Sequence, residues 1–374
     1  MKVLHVLNEL MASGAEVMMR CSAPYWQKSG IECEILSTGD EVGPYVQDLQ
    51  YVGYPIHHIP FKKSVLFFIE FYNLIRAKKY DIVHIHCERG FFYYGLIARL
   101  AGMFIVRTVH STFLFNNYLA FRRRVHLKLF HWLGGEVISI SPSVKENELK
   151  RFRNRTILIM NWYDDLQFKL PSDTERKAAR ELFCIPENTV VVASVGNCAP
   201  VKNHGELFKA LTQIQASVPF IYIHAGKEEK GEPERKLAEE LGVLRQTRFL
   251  GYTRDVIPVL HAADIFIMPS LREGFGIAAI EALGTGIFSI LADVAGLRDL
   301  KGIPGVIWTT PDSMSIAEGI KQFLIMDEVE RETIRLQAIS EIKCKYNVER
   351  GVRAYVDIYK NLIEKSKTPG AINL

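Results

Sequence analysis

The sequence predicts an α/β protein built from two doubly wound domains in tandem, each around a parallel sheet. Three observations carry this. Short runs rich in Val, Ile and Leu alternate with longer amphipathic segments, the pattern of strands covered by helices on both faces. The alternation comes in two series, separated by the more polar "NWYDDLQFKLPSDTERKAARELFCIPENT" (161–189). The length, 374 residues, exceeds what one hydrophobic core usually supports.

The first series places strands at "KVLHVL" (2–7), "ECEILS" (32–37), "DIVHIH" (81–86), "FIVRTVH" (104–110) and "EVISIS" (136–141). Helical periodicity falls near 15–28, 64–78, 91–101, 121–133 and 143–151. The first part of 161–189 reads as a linker and its last part as a helix. The second series has strands at 190–196, 219–226, 248–251, 264–270, 287–292 and 305–308. Its helices lie near 203–216, 232–241, 254–261, 276–285, 313–325 and 328–345. A last helix, 347–365, precedes the polar tail "KSKTPGAINL", expected to stay loose. The domains are then 1–165 and 166–346, followed by 347–374.

Composition narrows the function classes. The chain is 48% hydrophobic and 24% charged with a net charge of only +4, and no basic region alternates with aromatics as in a nucleic-acid module. Cys21, Cys33, Cys87, Cys184, Cys198 and Cys344 are scattered without a CxxC, which reads as reduced thiols in a cytoplasmic protein. "MKVLHVLNEL" reads as a first strand, not a signal peptide. "VLFFIEFYNLI" is interrupted by Glu70 and Asn73, short of a membrane span. A soluble chain, at most peripheral to a membrane, is expected.

Neither "NELMASGAE" nor "GNCAPVKNHGE", the loops after the first strand of each series, carries GxGxxG, which argues against a dinucleotide dehydrogenase. The stretch "SLREGFGIAAIEALGTG" (270–286) is more telling. Gly274 and Gly276 let the backbone approach a ligand. The N–H groups of Phe275, Gly276 and Ile277 fall at a helix N-terminus, a ready anion site. Glu273 lies just outside that helix and Glu281 about a turn and a half inside it. A ligand with a central phosphate and hydroxyls at both ends, a sugar nucleotide, satisfies the whole stretch. The alternative is a glycine-rich turn capped by Glu273, with Glu281 a solvated helix residue.

The Glu-x7-Glu element "EGFGIAAIE" closely resembles that of retaining glycosyltransferases of family 4, whose GT-B architecture sets two Rossmann-like domains facing an interdomain cleft. The likeness runs along nearly the whole chain. "NELMASGAEVMM" resembles the family's N-terminal glycine loop and first helix, and "YDIVHIH" one of its central strands. "RTVHS" is similar to the strand that delivers an active-site histidine, and "NWYDDLQF" to the interdomain segment. "SVGNCAPVKNH" resembles the loop with phosphate-binding Arg and Lys.

The resemblance implies that Glu273 holds hydroxyls of the donor sugar and Glu281 those of the ribose. The amides around Gly274, Phe275, Gly276 and Ile277 hold the diphosphate, and Gly14, Ala15, Gly196 and Asn197 border it. Lys202 neutralises the leaving diphosphate, a large catalytic term; otherwise it is a surface lysine at a helix start. His110 contacts the donor sugar near the reacting carbon. Three departures stand out. Ser13-Gly14 replaces two glycines. Asn197 stands where the family usually has Arg, with Arg298 available to compensate. Asp299 stands where the family often has Glu.

There is no DxD, so a metal-bridged diphosphate is not expected and no cofactor is implied. His84 and His86 share one side of a strand, and His57 and His58 are adjacent. No third ligand at sensible spacing is evident, so these read as structural. With no second carboxylate pair for double displacement, the resemblance implies a front-face mechanism in which the leaving phosphate helps deprotonate the acceptor.

By the same resemblance the first domain binds the acceptor, and helix 347–365 returns to it. "ERGFFYYG" (88–95) is a candidate for stacking on a sugar. "FKKSVLFFIEFYNLIRAKKY" (61–80) and "YLAFRRRVHLKLFHWL" (118–133), with Arg122, Arg123, Arg124 and Lys128, read either as helices packed on the sheet or as faces resting on an anionic membrane. The expected activity is transfer of a hexosyl or N-acetylhexosaminyl group from a nucleotide sugar to a glycan or lipid-linked acceptor. UDP is the commonest nucleotide of the family, and bacterial polysaccharide or glycoconjugate assembly is the setting. The alternatives are a non-catalytic binder of the same ligands, which Asn197 favours, and a sugar-nucleotide epimerase.

Overall fold

The computed structural model describes residues 1–215 and 218–367; the polar tail from residue 368 onward lies outside the described residues. Contacts divide the chain into two units, one of Met1–Trp162 and Val348 onward, the other Tyr163–Asn347.

The first unit runs β1 (Lys2–Leu7), α1 (Gly14–Lys28), β2 (Glu32–Ser37), α2 (Val46–Tyr51), β3 (Ile56–His58), α3 (Val65–Lys78), β4 (Ile82–Ile85), α4 (Phe91–Leu100), β5 (Phe104–Val109), α5 (Asn117–Trp132), β6 (Glu136–Ser139), α6 (Pro142–Phe152) and β7 (Ile157–Leu158). Its sheet has the order β3-β2-β1-β4-β5-β6-β7, every pair parallel. The second unit runs α7 (Asp173–Leu182), β8 (Val190–Val195), α8 (His204–Ile214), β9 (Phe220–Ala225), α9 (Pro233–Glu240), β10 (Thr247–Phe249), α10 (Ile257–Ala262), β11 (Ile265–Met268), α11 (Ile277–Gly284), β12 (Phe288–Ala292), β13 (Val306–Thr309), α12 (Ser313–Ile325) and α13 (Glu328–Lys345). Its parallel sheet has the order β10-β9-β8-β11-β12-β13. The last helix, α14 (Val348–Lys367), belongs to the first unit.

Strands form where apolar runs can be buried on both faces, and caps set the helix starts. Ser64 and Ser141 each accept an N–H from their helix's first turn, and Ser172 with Glu175 makes a reciprocal capping box on α7. The helix read at 254 begins at Ile257, because the Asp255 carboxylate accepts the Ile257 N–H and Pro258 sits in the first turn. The core of the first unit is closed by α14, whose Val352, Tyr355 and Tyr359 pack with Trp26 and Trp162.

Adjacent aromatics mark where the chain leaves the first unit. A Cβ on Gly351 would stand 2.1 Å from the Trp162 ring, so that residue must be small for α14 to pack. Tyr163 instead donates its N–H to Tyr346 and packs against Gly284, both in the second unit. The division therefore falls at 162/163 and 347/348, against the sequence boundaries of 165/166 and 346/347.

In each sheet the strand order reverses at one place: between β1 and β4 in the first unit, and between β8 and β11 in the second. Loops leaving the carboxyl ends of those strands border the crevice where open α/β sheets take ligands.

Candidate functional site

In the second unit the loops after β8 and β11 bring two expected residues together. Lys202 ends a short 3-10 turn, Pro200–Lys202, and its Nζ lies 2.7 Å from Oε1 of Glu273. Ser270 Oγ donates to the same oxygen at 2.7 Å. The side chains are 26% and 13% exposed, so a ligand can reach both. Gly196, with φ +146°, lies beneath the lysine: a Cβ there would touch Lys202 Cε and Nζ at 3.7 Å.

Glu273 is fixed from behind. Its N–H donates to the Ala295 carbonyl at 3.0 Å, and a Cβ on Gly296 would stand 2.4 Å from the Glu273 carbonyl oxygen. The loop after β12 can approach this closely only because residue 296 is glycine. Gly274 and Phe275 lead to Gly276, which adopts φ +84° and caps α11; its carbonyl accepts the Ala279 N–H at 3.0 Å, and the amides ahead of Ala279 have no acceptor within the helix. The Phe275 ring is buried, edge-on to Tyr346. Glu281 is 6% exposed, which removes the alternative that it is a solvated helix residue.

The departures acquire structural explanations. Asn197 is exposed, and its Oδ1 accepts the Lys227 N–H at 2.9 Å, tying the loop after β8 to the loop after β9. Arg298 is paired with Asp293 through Nε at 3.2 Å and also donates to the Asp293 carbonyl, so the cation expected to compensate for Asn197 is engaged elsewhere. Lys301 and Arg298 together hold the Asp293 carboxyl below its ordinary range. Asp299 sits on the adjoining turn Leu297–Leu300.

In the first unit Gly14 and Ala15 open α1 immediately after the loop from β1, with Gly14 exposed. Ser13 Oγ donates to the Glu16 carboxyl, and burial raises that carboxyl to about 7. His110 directly follows β5. Its Nε2 lies 2.9 Å from His86 Nδ1, and His86 Nε2 lies 3.0 Å from His5 Nδ1. Burial lowers His110 to about 4 and His5 to about 3, so this row of imidazoles is neutral at pH 7. A third ring beside His84 and His86 therefore exists after all. The parallel register sets His5 opposite His84, a proximity that spacing along the chain does not reveal. His84 has both nitrogens engaged, by Tyr359 and Thr108.

Sequence reasoning missed the ionic network beside this row. Glu88 pairs with Arg107 and Arg123, and Arg123 also pairs with Glu148 at 2.9 Å. Burial alone would raise the Glu88 carboxyl, but the two guanidinium groups hold it below its ordinary value. Phe91 lies under Arg107 at 3.6 Å and Tyr94 is fully buried, so of the aromatic rings in the proposed stacking segment only Phe92 and Tyr93 stay partly open. Arg123, 3% exposed, is no part of a basic surface. The outer face of α5 instead combines Arg122, Arg124 and Lys128 with exposed Tyr118, Phe121 and Trp132. Among the described residues no helix is long and apolar enough to cross a membrane.

Two parallel-sheet Rossmann-like units whose switch-point loops carry these groups define the GT-B architecture, and the chain is a glycosyltransferase of that architecture. Residues 12–165 match the family model described as Glycosyltransferase Family 4, and residues 175–338 that of Glycosyl transferases group 1. An uncharacterised glycosyltransferase of Methanocaldococcus jannaschii is 25% identical over 90% of this chain and 91% of its own length. The capsular polysaccharide biosynthesis glycosyltransferase CapM of Staphylococcus aureus is 23% identical over 98% of each chain. The crystal structure of Anabaena HepE in complex with UDP superposes with a TM-score of 0.80 at 19% identity, covering 96% of this chain and 100% of that one.

Proposed function

We propose that this glycosyltransferase moves a hexosyl or N-acetylhexosaminyl group, with retention, from a nucleotide sugar to a glycan or lipid-linked acceptor in the cytoplasm. The observation that carries the reading is the 2.7 Å pair between Lys202 and Glu273 at the β8/β11 switch point, with Glu281 buried in the helix that follows. UDP in HepE and the polysaccharide pathway of CapM support a UDP-sugar donor and a glycan acceptor.

When the donor binds, Lys202 turns from Glu273 to the diphosphate and neutralises the charge that grows there as the glycosidic bond breaks. The freed Glu273 oxygen accepts hydroxyls of the sugar, while Ser270 keeps its carboxylate oriented. Glu281 accepts from the ribose, and the amides of Phe275, Gly276 and Ile277 bind phosphate oxygens. Gly196, Asn197 and Gly274 line that phosphate path in the second unit. His110, neutral, serves the sugar as a hydrogen-bonding group and not as a cation. The leaving phosphate oxygen takes the acceptor's proton as the new bond forms on the same face. No divalent ion bridges the diphosphate, so added magnesium or manganese leaves the rate unchanged. The basic and aromatic outer face of α5 rests on anionic lipid, which cosedimentation with phosphatidylglycerol vesicles measures.

Calorimetric titration of UDP, GDP and ADP into wild type, Glu281→Ala and Glu273→Ala tests the two-ended grip. One nucleotide binds, Glu281→Ala weakens it about ten- to a hundredfold, and Glu273→Ala spares it while weakening the intact donor. Equal binding by all three proteins rejects the arrangement. Asn197 and the engagement of Arg298 by Asp293 favour a second reading, a non-catalytic binder of the same ligand; it predicts nucleotide binding without transfer.

A further inference from the structure

A second cluster of chemistry-bearing side chains lies in the second unit, off the proposed donor contacts. Cys198, from the loop after β8, His224, near the end of β9, and His204, the first residue of α8, each offer one donor atom, all within 4.8 Å of one another. All three are buried: 5%, 1% and 5% exposed. Cys198 Sγ lies 3.3 Å from His224 Nε2. His204 Nδ1 is buried and has no hydrogen-bond partner among the described residues, an orphan of the kind that calls for an explanation.

Neighbouring groups prepare these donors. Ser194 Oγ and Tyr222 OH lie 3.0 Å and 3.2 Å from His224 Nδ1, which leaves Nε2 to face Cys198. Metal-bound histidines are oriented in this way, through the nitrogen that does not ligate. Burial lowers His204 to about 3 and His224 to about 4, so both present neutral lone pairs.

We propose that Cys198, His204 and His224 form a zinc site, its fourth position open to water, that braces the loop carrying Lys202. One thiolate and two imidazoles suit zinc and not magnesium or calcium. Tetrahedral zinc spaces its donors by about 3.3–3.8 Å, so the present separations close by side-chain rotation. The thiol proton leaves to solvent as the Zn–S bond forms. Cys198 and His204 bracket Lys202 in sequence, so the ion would pin both ends of that loop to β9. The site stands on these donors alone and not on the identity of the sugar donor.

The test is a titration of the reduced, metal-stripped full chain with Co²⁺ and then Zn²⁺. One equivalent of cobalt gives a thiolate-to-cobalt charge-transfer band, and zinc displaces it. Cys198→Ser abolishes the band. His224→Gln and His204→Gln each weaken zinc at least tenfold, with far-UV circular dichroism showing that the variants fold. Absence of the band in wild type overturns the proposal without any variant. So does a band that survives Cys198→Ser, or zinc binding that is lost only when the first unit's histidine row is altered by His84→Gln.

Discussion

Replacing Lys202 by Met separates two roles that one distance leaves joined. Lys202 Nζ and Glu273 Oε1 are 2.7 Å apart, and Ser270 donates to the same oxygen, so the lysine both holds the carboxylate and stands ready for a phosphate. A fully exposed pair contributes about 0.2–1 kcal/mol and a hydrogen bond to a charged group about 1.5–3 kcal/mol. At 26% and 13% exposure the coupling falls between them, about 1–2 kcal/mol. Urea unfolding of wild type, Lys202→Met, Glu273→Gln and the double variant measures it as a cycle. Initial rates of transfer from the donor measure the second role. Loss of a cation that acts mainly in the transition state lowers turnover about 10²- to 10³-fold, and Glu273→Gln does not restore it. A rate within about threefold of wild type, or recovery in the double variant, would show that Lys202 only positions Glu273.

Two further outcomes follow from the same geometry. Gly296→Ala puts a Cβ 2.4 Å from the Glu273 carbonyl at φ +88°; left-handed strain of about 1–2 kcal/mol plus displaced backbone should lower stability by about 2–4 kcal/mol and activity with it, and an unchanged thermal midpoint would contradict this. Acid should destabilise the first unit: His5 and His110 are held neutral at about 3 and 4 against an ordinary 6.5, with His84 and His86 lowered too. The unfolded chain takes up protons below about 6.5 and the folded one does not, so stability is complete above that pH and falls towards 4, by about 1.4 kcal/mol per pH unit for each histidine. Glu16, raised to about 7 by burial, acts in the opposite sense between 4.5 and 7 and offsets one of them. Urea midpoints at pH 7.5, 6 and 5 that do not fall would refute the neutral row.

Most strands were legible because parallel strands buried on both faces are continuous apolar runs: "KVLHVL" and "ECEILS" became β1 and β2 at their expected limits. Those missed lack such a run. Strand β3, Ile56–His58, is a half-exposed edge, and β7 has two residues. Helix α2 is one short segment around a single buried leucine. The positions of Glu273, Lys202 and His110, in the loops that follow apolar strands, were legible from those strands, while their roles came from the family resemblance. The partners Ser270, His5 and Glu88, and the Cys198–His204–His224 cluster, were not. Parallel pairing sets β1 beside β4, and β8 beside both β9 and β11, across intervals that no local pattern reports.

Helix α14 has a bearing on how the molecule is made. The core of the first unit needs Tyr355 and Tyr359, yet the ribosome completes the 185 residues of Tyr163–Asn347 before it reaches them. At about 5–20 residues per second that is roughly 10–40 s, during which the second unit has its whole sequence and the first does not. Trp26 and Trp162 wait that long with part of their apolar surface uncovered. The unit that begins the chain is the last to close, and a polypeptide released early would fail in its N-terminal half.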